Sequence, residues 1–198
     1  MKQHLNDLNL NFLEVNNKTI TDIKNTIEII GDSCNAKEEA AKLLYNINKV
    51  LSVIKKKTEN LSKPKVIISI GRTFGTGTIK EVYIAGKKTF YDELISLAGG
   101  VNAYKDSSSA YPMLSAEGLI QLNPEIIIDF ATDINLSNDV ILKDWESIKS
   151  IDAIKNNRVK IFRNDYIVIP GPRFILTLKD LSKAIHPEIN WDELNNYK

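Results

Sequence analysis

The spacing of hydrophobic residues along the chain changes near Pro64. Before this proline, apolar side chains recur every three or four positions, which is the period of a helix that buries one face. After it, short apolar runs alternate with segments of helical spacing. This alternation predicts an α/β fold, in which a mainly parallel central sheet is flanked by helices on both faces.

The residues before Pro64 predict one short strand and two helices. These elements are a strand at Leu8–Val15 and helices at Thr19–Ile30 and Ala36–Lys57. Asn35 followed by Glu38 is a capping-box pattern, which predicts the start of the second helix. That helix would be on the order of 30 Å long, enough to cross a small domain.

The residues after Pro64 predict alternating strands and helices. The strands are Val66–Ile70, Val82–Ala85, Glu125–Ala131 and Arg158–Arg163, and the helices are Thr89–Ala98, Ser115–Gln121, Val140–Ile148 and Pro172–Ile185. Thr89 and Ser115 are good N-caps, and Pro172 suits a first helical position. The segment Asn102–Met113, rich in serine and tyrosine, predicts a loop.

Composition excludes several classes of function. Hydrophobic residues make up 43% and charged residues 26% of the 198 residues, as in soluble globular proteins. The net charge is +1 and no basic block occurs, which argues against nucleic acid as a partner. The single cysteine cannot form an intrachain disulfide, and no cysteine or histidine spacing resembles a zinc site. No metal or cofactor is therefore predicted.

Ligands of open α/β sheets bind outside the carboxyl ends of the parallel strands. This rule nominates three loops: Gly71–Thr78, the segment after Ala131, and Arg163–Gly171. The first loop matches neither the P-loop nor the dinucleotide-binding pattern, so it predicts a ligand-lining loop with Arg72 at its base, or a plain surface turn. Tyr83, Tyr111 and Tyr166 lie in or beside irregular segments, where they would stack on a planar ligand or cover a core edge.

The remaining polar candidates favour structural interpretations. Glu117 lies in the first turn of a helix capped by Ser115, where a carboxylate is favourable. Asp129 and Asp133 flank a strand end, either as a carboxylate pair or, as the favoured interpretation, as solvated loop acids. Arg173 could bind a carboxylate or phosphate, or form a surface ion pair. No catalytic constellation can be assembled, which predicts a protein that is not an enzyme.

Taken together, the segments between Pro64 and Glu188 resemble the second lobe of the periplasmic binding proteins that serve cobalamin, ferric-siderophore and haem importers. The matching stretches are Val66-Ile-Ile-Ser-Ile-Gly-Arg72, Ala85-Gly-Lys-Lys-Thr-Phe-Tyr-Asp-Glu-Leu-Ile-Ser-Leu-Ala-Gly-Gly-Val-Asn102, Tyr111-Pro-Met-Leu-Ser-Ala-Glu117, Asn123-Pro-Glu-Ile-Ile-Ile128, Asn157-Arg-Val159, Gly171-Pro-Arg173 and His186-Pro187. The resemblance extends backwards over Leu10–Lys57, as the last strand and helix of a first lobe and then the linking helix.

This resemblance implies two α/β lobes joined by one rigid helix, with the ligand held between the lobes. It divides the chain into a first-lobe remnant (1–33), a connecting helix (34–62) and a C-terminal ligand-binding lobe (63–198). The implied protein lies outside the cytoplasm, in the periplasm or lipid-anchored at the cell surface. It captures a corrinoid, a ferric siderophore or haem and delivers it to an ABC transporter permease.

The resemblance also assigns roles to individual residues. The ligand-binding candidates, from the resemblance and from the tyrosine pattern, are Arg72, Thr73, Phe74, Tyr83, Tyr111, Tyr166 and Arg173. Glu117 matches the glutamate that family members present to arginines of the permease. The few arginines near the cleft, Arg72, Arg163 and Arg173, favour a corrinoid over an anionic siderophore.

The start of the chain departs from this family. Met1–Leu10 is polar and lacks the apolar segment of a signal peptide, which by itself predicts a cytoplasmic protein. The first lobe expected before Leu8 is missing, as in a domain fragment, a proteolytic fragment or a truncated gene product. Exposed surface at Leu10–Ile30 would then invite homodimerisation. The alternatives are a cytoplasmic α/β cofactor-binding or enzyme domain, or a truncated dimerising interaction domain.

Overall fold

The computed structural model describes residues 2–132 and 134–196. The strands are β1 (Lys65–Arg72), β2 (Glu81–Ile84), β3 (Val101–Asn102), β4 (Met113–Ser115), β5 (Ile126–Phe130) and β6 (Val159–Phe162). The α-helices are α1 (Lys2–Asp7), α2 (Ile20–Ser33), α3 (Lys37–Thr58), α4 (Phe90–Leu97), α5 (Ala116–Leu122), α6 (Asn138–Trp145), α7 (Asp152–Lys155) and α8 (Phe174–Ile185). Single 3₁₀ turns occur at Glu146–Ile148, Asp165–Val168 and Asp192–Asn196.

The strands form one mixed six-stranded sheet in the order β4-β2-β1-β5-β6, and β3 pairs with the start of β1. β1 is parallel to β3 and β5, and β5 is parallel to β6, whereas β2 is antiparallel to β1 and β4. The α/β class predicted from the alternating pattern, with a mainly parallel central sheet between helices, is confirmed.

Helices cover both faces of the sheet and define two hydrophobic clusters. Ile68 of β1 and Ile128 of β5 pack into the larger cluster, together with α2, α3, α4 and α8. Ile67 and Ile127, each the residue immediately before one of these, pack into the second cluster with α5, α6 and α7. Successive strand residues thus point to opposite faces, and burial on both faces explains the continuous apolar runs of β1 and β5.

The long helix predicted before Pro64 is α3, which contacts α2, α4 and α8. Its predicted capping box is wrong, because Ala36 is the N-cap and makes no side-chain cap bond, while Asn35 has a left-handed φ of 54°. A capping box exists instead at α2, between Thr19 and Asp22. Among the helices described, α3 included, none is long and apolar enough to cross a membrane.

The strand predicted at Leu8–Val15 is wrong. The chain leaves α1 at Asp7 and continues without regular structure as far as the N-cap of α2. No described strand pairs with this segment, so its backbone lacks the neighbour that a β-ladder requires. Leu8, Leu10 and Leu13 are each at least half exposed.

Three smaller differences concern the loops of the second half. β3 and β4 occupy parts of segments predicted as loop, because strands of two and three residues are too short to show an alternating pattern. α7 was likewise not predicted. The last helix begins at Phe174 rather than at Pro172.

Three helix ends meet at Gly99, which follows α4. Its φ is 85°, and a Cβ there would lie 2.7 Å from both Nε2 of His186 and Cβ of Thr58. His186 is the buried C-cap residue of α8, with Nδ1 2.9 Å from Oε1 of Glu188 and Nε2 3.2 Å from the carbonyl oxygen of Gly99. Glycine is therefore required for α3, α4 and α8 to converge.

Candidate functional site

The three loops nominated from the sequence meet at one edge of the sheet. β1, β5 and β6 run parallel, so their carboxyl ends lie side by side. Arg163, just after β6, donates to the carbonyl oxygens of Ile134 and Leu136 at 2.8 and 2.5 Å. A Cβ on Gly75 would lie 2.9 Å from Leu136, so the glycine-rich loop also packs against this segment.

Arg72 lies at the centre of a buried ionic network. Its side chain is 0% exposed. Nε and Nη2 donate to Oδ2 of Asp129 at 3.0 and 2.9 Å, and Nη1 donates to Oδ2 of Asp144 at 2.7 Å. Two further bonds reach the carbonyl oxygens of Thr73 and Ile141, so all five N–H groups of the guanidinium have acceptors. The guanidinium is thus fully engaged within the protein.

Aromatic rings enclose the same guanidinium. The ring centroid of Phe74 lies 4.2 Å from Cζ of Arg72, and that of Trp145 lies 5.3 Å away. Nε1 of Trp145 donates to Oδ2 of Asp129 at 2.8 Å. Phe74 is half-buried, so the Arg72 guanidinium supports the ring of a residue that remains in contact with solvent.

Asp129 does not behave as a solvated loop acid, which corrects the sequence interpretation. It is fully buried, and besides Arg72 and Trp145 it accepts a bond of 2.8 Å from Oγ of Ser69. Its proposed partner, Asp133, lies outside the described residues. The carboxylate that accompanies Asp129 is Asp144, which the sequence analysis did not nominate.

An open surface carrying aromatic and apolar side chains flanks this network. Tyr83 of β2 pairs with Gly71 of β1 on one side and with Met113 of β4 on the other. Tyr83 is 49%, Met113 48% and Tyr111 46% exposed. A Cβ on Gly71 would meet no atom within 4 Å, so the space beside Tyr83 is open. Tyr83, Gly71, Met113 and Tyr111 are called the aromatic shelf below.

Tyr91 of α4 is hydrogen bonded to the loop after β6. It is buried in α4, and its hydroxyl donates to the carbonyl oxygen of Ile167 at 2.9 Å. Burial, and to a smaller extent the nearby Tyr111, raises the pKa of Tyr91 to about 12. The neighbouring Val168 and Ile169 are also largely exposed. The hydrogen bond therefore holds the third nominated loop against α4.

Two of the candidate ligand-binding residues are engaged in other contacts. The hydroxyl of Tyr166 donates to Oδ2 of Asp180 at 2.5 Å and accepts from Asn164 at 2.8 Å. Burial and the Asp180 carboxylate raise its pKa. Arg173 forms an exposed bidentate pair with Asp165, at 3.2 and 2.8 Å, which matches the surface-pair interpretation.

Glu117 is exposed in the first turn of α5, at the end of β4. Ser115 caps this helix by accepting from the N–H of Gly118 at 3.3 Å. A hydrogen bond from the Ser115 side chain lowers the pKa of Glu117, which is therefore ionised at neutral pH. The predicted cap is confirmed, and its geometry leaves the carboxylate open to solvent.

The site has neither a metal cluster nor a free phosphate cradle in the part of the chain that the structure describes. No group of three or more His, Cys, Asp or Glu residues there is placed to hold a metal ion. The N–H groups of Gly75 and Gly77, which a nucleotide phosphate would need, already donate to Asp144 at 2.8 and 2.6 Å. The residues instead offer a broad apolar contact surface.

Two concavities in the described part of the chain lie away from the aromatic shelf. One of about 470 Å³ is lined by Leu142, Glu146 and Lys149 beside α6 and α7. Another, of about 610 Å³, is an open groove along β6. The first contains no candidate ligand-binding residue, the second includes Arg163 and Asn164 of the third nominated loop, and a third, of about 310 Å³, includes Thr73 of the glycine-rich loop. The shelf, an exposed face without walls of its own, carries two of the candidate tyrosines, Tyr83 and Tyr111.

Comparison with known proteins gives one family. The family model described as periplasmic binding protein matches residues 4–166. An uncharacterised ABC transporter substrate-binding lipoprotein, YvrC of Bacillus subtilis, is 27% identical over 190 residues, covering 94% of this chain and 57% of that protein. The vitamin B12-binding protein of Vibrio parahaemolyticus is 24% identical over 155 residues, covering 78% of this chain and 52% of the relative.

Solved structures share the fold. The crystal structure of S. aureus IsdE complexed with haem superposes with a TM-score of 0.70 at 22% identity, covering 94% of this chain and 72% of that one. The present chain spans a little over half the length of the two curated relatives described above.

Proposed function

Because the chain belongs to the periplasmic binding protein family, we propose that it is the C-terminal, ligand-binding lobe of a substrate-binding protein of an ABC importer. In this proposal α3 is the connecting helix, and residues 1–33 belong to a first lobe. The observation that carries the proposal is the aromatic shelf at the carboxyl ends of the strands, where ligands of such sheets bind. The relatives described above include an ABC transporter substrate-binding lipoprotein and a vitamin B12-binding protein.

The ligand we propose is a corrinoid, with a ferric siderophore or haem as the alternatives. A corrinoid presents a broad face that suits Tyr83, Met113 and Tyr111, which are exposed and adjacent. A multiply anionic siderophore complex needs free cationic groups. The guanidinium of Arg72 is buried and fully hydrogen bonded, and Arg173 is paired with Asp165.

The same proposal accounts for partner, location and chemistry. Exposed Glu117 would contact an arginine of the membrane permease, and the protein would work outside the cytoplasm, in the periplasm or lipid-anchored at the cell surface. It would bind its ligand without converting it. A cytoplasmic nucleotide-binding role is disfavoured because Asp144, an anion, fills the place where the amides of Gly75 and Gly77 would hold a phosphate.

Calorimetric titration of the chain, alone and joined to the first lobe of the two-lobed protein, tests the proposal. The ligands are dicyanocobinamide, cyanocobalamin, haemin, a ferric hydroxamate and a ferric catecholate, and we expect the corrinoids to bind. Replacing Tyr83 by serine should weaken that binding about tenfold, because an exposed aromatic contact is lost. Tyr45→Ser is the matched control, since Tyr45 is 59% exposed on α3, away from the shelf.

The outcomes separate the parts of the proposal. Binding of no compound, by the chain or by the two-lobed protein, would overturn the assigned function. Binding of the ferric catecholate alone would keep the binding function and contradict the corrinoid. An equal loss of affinity in Tyr83→Ser and Tyr45→Ser would remove the aromatic shelf as the site.

A further inference from the structure

The glycine-rich loop after β1 is held from one side by the last turn of α6 and the residues that follow. Alternate residues of the loop donate their backbone N–H groups in the same direction. Gly75 donates to Oδ2 of Asp144 at 2.8 Å, Gly77 donates to Oδ1 of Asp144 at 2.6 Å, and Ile79 donates to Oγ of Ser147 at 2.9 Å. Both oxygens of the Asp144 carboxylate therefore accept from the loop.

The conformation of the glycine-rich loop is one that needs hydrogen bonds to hold it in place. Gly75 and Gly77 have φ values of 74° and 72°, in the left-handed region that glycine adopts without steric cost. Glycine also has the largest backbone freedom of any residue, so this loop would sample many conformations unless its amides were bound. Two charge-assisted bonds to one buried carboxylate select a single conformation.

Asp144 is held in place by its position in α6 and by its ion pair with Arg72. It is fully buried near the end of α6, and the 2.7 Å bond from Nη1 of Arg72 balances its charge. Burial raises the pKa of Asp144, but the bonds from Arg72, Gly75 and Gly77 outweigh it and hold the pKa below its usual range. The carboxylate is thus ionised at neutral pH, with acceptors directed at the loop.

We propose that Asp144 is a positioning residue for ligand binding: its carboxylate fixes the backbone at Gly75 and Gly77, and the ordered loop holds Thr73 and Phe74 at the carboxyl edge of the sheet. Asp144 itself need not touch the ligand. Two contacts orient Phe74. It belongs to the loop that Asp144 binds, and its ring packs against the Arg72 guanidinium, which is ion paired with both Asp144 and Asp129. This role rests on the ligand-binding function proposed above.

Amide hydrogen exchange in the unliganded chain tests the positioning role independently of any ligand. In Asp144→Asn, which keeps the shape of the side chain and removes its charge, protection at Gly75 and Gly77 should fall by about tenfold to a hundredfold, the factor expected for a lost charge-assisted hydrogen bond. Core amides of β1 and β5, such as those of Ile67 and Ile127, should keep their protection. Unchanged protection at the two glycines, or an equal fall in the core, would overturn the proposal.

Two further variants guard against a general folding defect. Asp152→Asn is the matched control, because Asp152 also accepts hydrogen bonds, from Asn123 and Lys155, but lies away from the loop. Gly77→Ala keeps the carboxylate and strains the loop, since a Cβ there meets no atom within 4 Å but the φ of 72° is unfavourable. Should Asp144→Asn not fold, Gly77→Ala still decides whether the loop conformation matters.

Titration with dicyanocobinamide gives the functional readout. Relative to the parent chain and to Asp152→Asn, we expect Asp144→Asn and Gly77→Ala each to bind about tenfold more weakly. Binding by the parent chain that neither variant weakens would overturn the positioning role and leave the proposed function standing. If neither the parent chain nor the two-lobed protein binds any compound of the panel, the proposed function fails, and the exchange experiment alone decides whether Asp144 orders the loop.

Discussion

Arg72 shows how far a single residue can be interpreted from sequence. An arginine at the carboxyl end of a buried strand was expected to line a ligand cleft, and it does lie at that edge. Its acceptors, Asp129 and Asp144, are 57 and 72 residues away in sequence, so nothing in the local pattern indicated that they would neutralise it. Because these carboxylates neutralise and hold the guanidinium, it packs against the ring of Phe74, with Cζ 4.2 Å from the ring centroid.

Removal of the Arg72 guanidinium should destabilise the protein strongly. In Arg72→Met, the buried carboxylates of Asp129 and Asp144 would lose their counter-charge, and breaking a buried ion pair by removing one partner typically costs about 3–5 kcal/mol. The free energy of unfolding, measured by urea denaturation, should fall by about that amount.

The exposed Arg173 supplies the comparison. Its pair with Asp165 is open to solvent, so Arg173→Met should change the free energy of unfolding by no more than about 0.5 kcal/mol. Similar losses in the two variants would contradict the assignment of Arg72 to a buried network. A near-neutral Arg72→Met would likewise contradict that assignment.

At the scale of elements, strong periodicity was a sound guide and short segments were not. α3 and α4 were predicted because their apolar spacing persists for two turns or more, and β1 and β5 because they are apolar on both faces. The two-residue β3 shows no period at all, since it exists only through pairing with β1. Leu8–Val15 shows the opposite error: its alternating pattern predicted a strand, but no described strand lies beside it to pair with.

This unpaired segment leads to a prediction about association. Leu8, Leu10 and Leu13 are 55%, 53% and 50% exposed, and Ile29 and Ile30 on α2 are 41% and 45% exposed. Several exposed apolar side chains in one part of the chain favour self-association. We expect sedimentation velocity to show dimers or larger species that increase with concentration, and the double variant Leu10→Lys, Leu13→Lys to remain monomeric.

A charge added elsewhere controls for solubility alone. Ile120 on α5 is 42% exposed, and Ile120→Lys should associate like the parent chain. If the parent chain stays monomeric at all concentrations, the homodimer predicted from the sequence is wrong. If Ile120→Lys abolishes association as well, the contact does not lie at the N-terminal segment.

For the whole molecule, topology was more informative than side chains. The expectation that β1, β5 and β6 are parallel was enough to predict that the loops after them lie at one edge of the sheet. The structure brings these three loops together there. The same reasoning could not find Asp144, because no pattern marks which residue of a helix will point at a distant loop. Met113 was missed for a related reason, since its exposure depends on the pairing of β4 with β2.

The position of Glu117 relative to the aromatic shelf gives the last prediction. Met113 of the shelf lies on β4 and Glu117 lies in the first turn of α5, four residues further along the chain, so a permease that binds Glu117 would contact the lobe beside the β4 end of the shelf. Because Glu117 is exposed and ionised, its contact with a permease arginine would be an exposed ion pair, sensitive to salt. Glu117→Gln should weaken binding to the cognate permease in proteoliposomes about tenfold at low ionic strength, and the difference from the parent chain should shrink as salt is added.

Glu59→Gln separates a specific contact from general attraction. Glu59 is an exposed carboxylate at the C-terminal end of α3, the proposed connecting helix. Its loss changes the net charge by the same amount as the loss of Glu117 but removes no charge from α5. If both variants weaken binding alike, the permease responds to the net charge of the chain, and Glu117 makes no specific contact with it. If Glu117→Gln alone loses affinity while its titration with dicyanocobinamide is unchanged, docking and ligand capture reside on neighbouring but separate groups of β4 and α5.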